Sequence, residues 1–324
     1  MSLKSSHVGG AATMQEGRRS DGYPEGGAGV LERLAAPAES LLPLPRLLVI
    51  FAHPDDEVLA AGGRLERLRE SRLLCVTDGA PVDGADARAH GFATIEAYRV
   101  ARRAELIASL KLGGISADCA EPLRLAGPDG SCREIADQIA DQGAAFHLAE
   151  LTRAVAREIE VFRPEAVLTH PYEGGHPDHD SCAFAVHSAV RLLGNTSRPI
   201  ILEAPFYHAG AGGMETGSFL GESAESEDKL SSLWVCELSP LEQARKRERL
   251  GCFASQRETL AQFRTEREQF RVAPRYDFCE PPHAGRLLYE DFAWGVSGEQ
   301  FRALAASAFE QLGLVRESGG SGRE

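Results

Sequence analysis

The sequence predicts an α/β fold: a Rossmann-like, mostly parallel sheet with helices on both faces and its chemistry-bearing residues at the carboxyl ends of the strands. Three observations carry this expectation. Short apolar runs alternate with segments of helical period, the βαβ pattern that right-handed crossovers assemble into a parallel sheet. Two of the runs, Leu48-Val49-Ile50-Phe51 and Ala166-Val167-Leu168-Thr169, lead straight into turns crowded with His and Asp. Open parallel sheets bring such strand ends to one edge, where loops meet helix N-termini and ligands bind.

Taken in order, residues 1 to about 30 are rich in Gly, Ser and charge without an apolar period, and read as a disordered leader. Leu31 to Leu44 has the pattern of a short helix that Pro45 ends. The first strand passes through Ala52-His53-Pro54-Asp55-Asp56-Glu57 into a helix beginning at Val58. Leu73-Leu74-Cys75-Val76-Thr77 is the second strand, and it ends at Asp78-Gly79-Ala80-Pro81. A helix follows from about Ile95 to Leu110, with Ile95, Val100, Ala104, Leu106 and Ile107 on its inner side. Residues 113–146 are hard to read beyond a turn at Asp129-Gly130, and the run from Asp137 to Phe146 either lines the pocket or connects elements. Leu148, Leu151, Val155, Ile159 and Phe162 recur at helical spacing until Pro164, just before the Ala166 strand.

Beyond the second crowded turn, Cys182 to Leu193 is helical, and Pro199 to Glu203 and Leu233 to Leu238 read as strands. Between those strands, Ala209 to Lys229 is Gly-, Ser- and Glu-rich, an exposed loop that could serve as a lid or insertion over 209–230. Ser239-Pro240-Leu241-Glu242 opens a helix with a capping box. Its Arg245, Lys246, Arg247 and Arg249 read as a solvated face. Residues 31–314 are thus expected to form one domain and 315–324 a flexible tail.

Composition narrows the classes of function. A chain of 324 residues is long enough for one large α/β domain with insertions or for two small domains, and its net charge of −13 argues against nucleic-acid backbones and anionic membranes, which favour basic surfaces. No apolar run approaches the roughly 18 residues of a membrane span, and the N-terminus lacks a signal-peptide layout. Seven cysteines without any Cys-x-x-Cys read as reduced thiols and point to the cytoplasm. A homo-oligomer is compatible with all of this.

The turn after the first strand carries His53 and Asp56 three residues apart, close enough to face one ion. Nitrogen and oxygen ligands suit zinc, and a catalytic zinc takes three protein ligands, so a third must come from elsewhere. Asp55 is left over, and a carboxylate beside a metal's water is placed to take its proton. The bland alternative is a turn whose Asp residues cap the following helix. Against it stands the second constellation, His170-Pro171-Tyr172-Glu173-Gly174-Gly175-His176-Pro177-Asp178-His179-Asp180, at the end of a separate strand.

These two stretches resemble the motifs of the PIG-L/LmbE-like zinc-dependent N-deacetylases: Ala-His-Pro-Asp-Asp-Glu at 52–57 and Gly-Gly-His-Pro-Asp-His at 174–179. The resemblance implies His53, Asp56 and His179 as metal ligands, zinc being the expected ion, with iron(II) or another divalent ion also suited to two His and one carboxylate. It implies Asp55 as the general base acting on the metal's water. It makes His176 the general acid or the stabiliser of the oxyanion, with Asp178 tuning its protonation. Weaker echoes are Thr77-Asp78-Gly79, Arg102 three before Glu105, and Lys246 ten before Gln256. Through them Arg102 and Asp78 become candidate substrate contacts. Where some members carry a Tyr two residues before the second motif's first His, this chain has Gly174, and Tyr172 is the nearby substitute. His170 either orients a ligand or packs.

The expected reaction is hydrolysis of the N-acetyl group of an acetylated amino sugar of the N-acetylglucosamine type. Cleavage of a larger amide, such as a thiol conjugate, is the alternative from the same site. A metal-dependent sugar-binding protein would need neither Asp55 nor His176, and a nucleotide-sugar transferase would show an Asp-x-Asp site with basic phosphate contacts.

Overall fold

The computed structural model describes residues 26–116, 139–194, 198–222, 233–292 and 294–315, together with the backbone of 120–122, 124–126 and 132–134. Strand β1 (Leu47–Phe51) is the hub. Its side chains alternate between two separate apolar clusters: Leu47, Val49 and Phe51 enter one, Leu48 and Ile50 the other. Burial on both faces explains why the strand reads as an unbroken apolar run rather than an alternating one. On one face lie helices α1 (Gly27–Ala35), α2 (Asp56–Ala61) and α4 (Ile95–Leu112), which follows the short helix α3 (Ala85–Ala89). On the other lie α5 (Leu148–Phe162) and α6 (Pro177–Leu193).

β1 pairs in parallel with β2 (Arg72–Cys75) on one side, and β2 pairs in parallel with β3 (Ala120–Pro122). A small hairpin, β4 (Arg124–Ala126) with β5 (Cys132–Glu134), follows outside this sheet. On its other side β1 pairs in parallel with β6 (Ala166–Thr169), which pairs in parallel with β7 (Ile200–Glu203). Strand order therefore reverses at β1 and β6, and the crevice at such a reversal is where open α/β sheets bind ligands. A second hairpin, β8 (Tyr207–Gly210) with β9 (Gly213–Thr216), comes next. The last two strands, β10 (Leu233–Glu237) and β11 (Arg267–Val272), close the sheet edge in antiparallel fashion.

Several local expectations are corrected. Helix α1 begins inside the expected leader and stops at Ala35, because Ala36 is extended ahead of Pro37; residues 1–25 lie outside the described residues. The inward stripe of α4 is Tyr98, Arg102, Leu106, Ser109 and Leu110, and Val100 is exposed. Part of the expected loop at 209–230 is the β8–β9 hairpin, and 223–232 lie outside the described residues; of the tail, only Val315 lies within them. Lys246 and Arg249 are buried, not solvated. Lys246 pairs with Glu268 at 3.1 Å and donates to the Leu59 carbonyl, and Arg249 engages Glu66 and the Gly62 carbonyl. Among the described residues no helix is long and apolar enough to cross a membrane.

Candidate metal centre

The turn after β1 forces Asp55 into φ +124°, a backbone that L-residues rarely adopt and that costs about 1–3 kcal/mol. Asp55 precedes α2 but makes no capping bond with its side chain. Its carboxylate instead pairs with Arg102 at 3.0 Å, and Arg102 also donates to the Pro54 carbonyl at 2.7 Å. The capping alternative is not what this aspartate does. Asp56 folds back, accepting the His53 backbone N–H at 2.8 Å.

The second motif is not a loop for its whole length. Helix α6 starts at Pro177, with proline in the first turn where no N–H is missed. His176 is the cap, its Nδ1 accepting the Asp178 backbone N–H at 3.1 Å. His179 therefore sits on the first turn of a rigid helix. Gly175 lets this turn press against β8: a Cβ there would lie 1.9 Å from the Tyr207 carbonyl oxygen.

Nitrogen and oxygen atoms of His53, Asp56 and His179 all lie within 4.8 Å of one another. Asp56 Oδ2 is 3.6 Å from His53 Nδ1, and Asp56 Oδ1 is 3.6 Å from His179 Nε2. This set fits a divalent ion. His179 Nε2 is buried and has no hydrogen-bond partner among the described residues, the condition of a nitrogen kept for a ligand. Burial, with His170, His53 and His176 around it, holds His179 well below the usual histidine range, so its ring is neutral. Burial opposes ionisation of Asp56, but His170 and His53 outweigh it and keep the carboxylate charged.

The far side of His53 is held by carboxylates. Its Nε2 lies 3.1 Å from Asp141 Oδ1 and 3.3 Å from Asp178 Oδ2. Burial disfavours a charged His53, yet these carboxylates and Asp56 raise its pKa well above the ordinary value. His53, Asp141, His176 and Asp178 form a second close set of possible metal donors. Asp178, however, is already committed, accepting from the backbone N–H groups of Gln142 at 2.6 Å and Ala144 at 2.9 Å. We therefore read this set as the support that orients His53 toward the first. Asp178 thus faces His53, and its carboxylate stands 4.0 Å from His176 Nδ1.

His170 does both things allowed to it. Its Nε2 accepts the Ala52 N–H at 3.0 Å, and its ring stacks on His179 with centroids 4.0 Å apart. His176 is drawn down to about 4 by burial and by His53, so it is neutral at pH 7. With Nδ1 accepting, its proton resides on Nε2, 3.6 Å from Asp141. Asp55 is pushed up to about 6 by burial, against the pull of Arg102.

Not every expected site residue converges here. Asp78 is tied to Arg99 at 2.5 Å and to the Ala80 N–H at 2.8 Å. Arg102 is 2% exposed and turned onto Asp55. Tyr172 is buried among Tyr276, Phe278 and Phe301, its hydroxyl donating to the Glu280 carbonyl. Conversely, Asp141 and two aromatic residues at the centre, Tyr207 against His179 and Trp294 against His176, had no local motif to announce them.

Comparison with known proteins agrees with the motif reading. Residues 48–190 match the family described as PIG-L: GlcNAc-PI de-N-acetylase. A probable N-acetyl-alpha-D-glucosaminyl L-malate deacetylase 2 of Bacillus cereus is 31% identical over 159 residues, 48% of this chain and 65% of that one. A 1D-myo-inositol 2-acetamido-2-deoxy-alpha-D-glucopyranoside deacetylase of a Mycobacterium species is 34% identical over 159 residues, 42% of this chain and 47% of that one. The chain thus spans less than two thirds of the length of these curated relatives. The crystal structure of a deacetylase triple mutant from the teicoplanin biosynthetic pathway shares the fold, with a TM-score of 0.50 at 19% identity over 72% of this chain and 99% of that one.

Proposed function

We propose, from the match of residues 48–190 to the family described as PIG-L: GlcNAc-PI de-N-acetylase, that this chain is a zinc-dependent, cytoplasmic hydrolase that removes the acetyl group from an N-acetylglucosamine-type sugar conjugate. The relatives' names supply the substrate class. The observation that carries the reading is the convergence of two strand-end motifs on one three-donor set, with a further carboxylate outside that set, Asp55, beside it.

His53, Asp56 and His179 would hold the ion, whose Lewis acidity lowers the pKa of water to about 7. Zinc suits a reaction with no redox step. Asp55 takes the proton of the attacking water. Its acidity near 6 lets it be ionised at neutral pH yet basic enough to hold the proton once taken. His176, neutral and protonated on Nε2, donates a hydrogen bond to the oxygen that gains charge as the acetyl carbon becomes tetrahedral. Protonated Asp55 then returns its proton to the amide nitrogen, the C–N bond breaks, and acetate and a free amine leave.

Replacing the base tests this. Asp55→Asn keeps the shape and should retain the metal while amine release from N-acetylglucosamine glycosides falls about 10²–10⁴-fold. Full turnover in that variant with metal bound would remove Asp55 from the mechanism. Amine release by the unmodified chain from larger amides alone would transfer the site to that substrate class.

A further inference from the structure

Beside the centre stands a stacked aromatic pair, Trp294 and Phe292, that none of these steps uses. The Trp294 ring packs on His176, centroids 4.5 Å apart with planes at 45°. Phe292 stacks on Trp294, again at 4.5 Å, with planes 13° from parallel. Both come from the segment joining Leu288–Asp291 to the helix Gly298–Leu312, outside the residues that match the family.

This pair is not core packing. Neither ring is part of the four apolar clusters, Phe292 is 47% exposed, and Trp294 is half-buried. A partly exposed aromatic pair beside a polar centre offers an apolar surface suited to something flat and partly apolar. The same His176 that Trp294 touches is met by the Asp141 carboxylate, 3.6 Å from its Nε2. An aromatic ring and a carboxylate beside one imidazole make a mixed wall. A long acyl chain would want apolar surfaces on several sides, whereas His53, Asp141 and His176 are the neighbours here. A pyranose fits: its C–H face carries slight positive charge and lies on the electron-rich ring face, and its hydroxyls meet polar groups.

We propose that Trp294, braced by Phe292, is the sugar-stacking wall of the substrate pocket and receives the pyranose ring whose acetamide reaches the metal centre. This rests on the deacetylase reading above and extends it to a specificity-determining residue.

The full-length, zinc-loaded protein tests it. The probes are the methyl glycoside of N-acetylglucosamine and an acyclic acetamide, N-acetylethanolamine. Trp294→Ala should raise KM for the glycoside about tenfold or more, and raise KM for the acyclic acetamide far less. Trp294→Phe, which keeps a ring, should restore most of the loss. Since the chain has two tryptophans, a Trp234→Phe variant reports Trp294 alone, and its emission should change saturably with the glycoside. Normal turnover with an unchanged KM in Trp294→Ala overturns the wall and leaves the deacetylase reading intact. A saturable emission change without amine release from any acetylated sugar keeps the wall and overturns the deacetylase reading. Neither signal overturns both.

Discussion

An alanine at position 175 would put its Cβ 1.9 Å from the Tyr207 carbonyl oxygen and 3.0 Å from the carbonyl carbon, where ordinary contact begins at 3.4 Å. One backbone must therefore retreat by about 1.5 Å, and neither can do so by turning a side chain. On one side is the strand that carries Tyr207 against His179; on the other is the cap residue His176, next in sequence. Overpacking of this kind costs about 1–3 kcal/mol. A shift of about 1 Å at a catalytic group can cost about 10²-fold in rate. Gly175→Ala should therefore unfold at lower denaturant with unchanged slope and lose about 10²-fold in kcat. Gly174→Ala is the control. It meets the movable end of Leu287 at 2.7 Å and a φ of +69°, so it should cost comparable stability but only a few-fold in kcat. Chemical denaturation and steady-state kinetics on both variants separate the two. Wild-type stability and rate in Gly175→Ala would refute the claim that contact between β8 and the α6 turn sets the position of His176.

Other outcomes follow from the same geometry. Arg102→Met should destabilise by about 3–5 kcal/mol because it leaves the Asp55 charge buried and unpaired. Adding Asp55→Asn should recover part of that loss, and strict additivity in the double-mutant cycle would deny the pair. Glu173 is pushed up to about 8 by burial against an ordinary 4.5, so the folded state binds its proton more tightly than the unfolded state. That contribution is full below about 4.5 and lost as pH rises through about 8, at about 1.4 kcal/mol per unit while only the unfolded chain ionises. Glu173→Gln should flatten the fall in stability between pH 5 and 8, and an unchanged slope would contradict the assignment.

Much of the fold was legible because its signals are local. The apolar runs of β1 and β6 and the period of α5, stopped by Pro164, each lie within one stretch of sequence. So do the two His/Asp motifs of the centre. What escaped depends on distant partners. Lys246 and Arg249 look like a wet face until Glu268, the Leu59 and Gly62 carbonyls and Glu66 come against them from elsewhere in the chain. Asp141 gains meaning only where it reaches His53, and Trp294 only on His176, more than a hundred residues away. Arg102 was legible as important but not in its partner, since its register shows nothing of the Asp55 carboxylate it faces. The early start of α6 was hidden by its cap, since histidine is an uncommon residue in that position.

The central claim is that His53, Asp56 and His179 hold one catalytic ion. Metal content and amine release, measured together for the unmodified chain and for His179→Ala, test it most directly. One equivalent of divalent metal that is lost in the variant together with amine release from N-acetylglucosamine glycosides is the predicted result. An unmodified chain that takes up no metal when zinc is supplied, or a His179→Ala variant that keeps both metal and turnover, would contradict it.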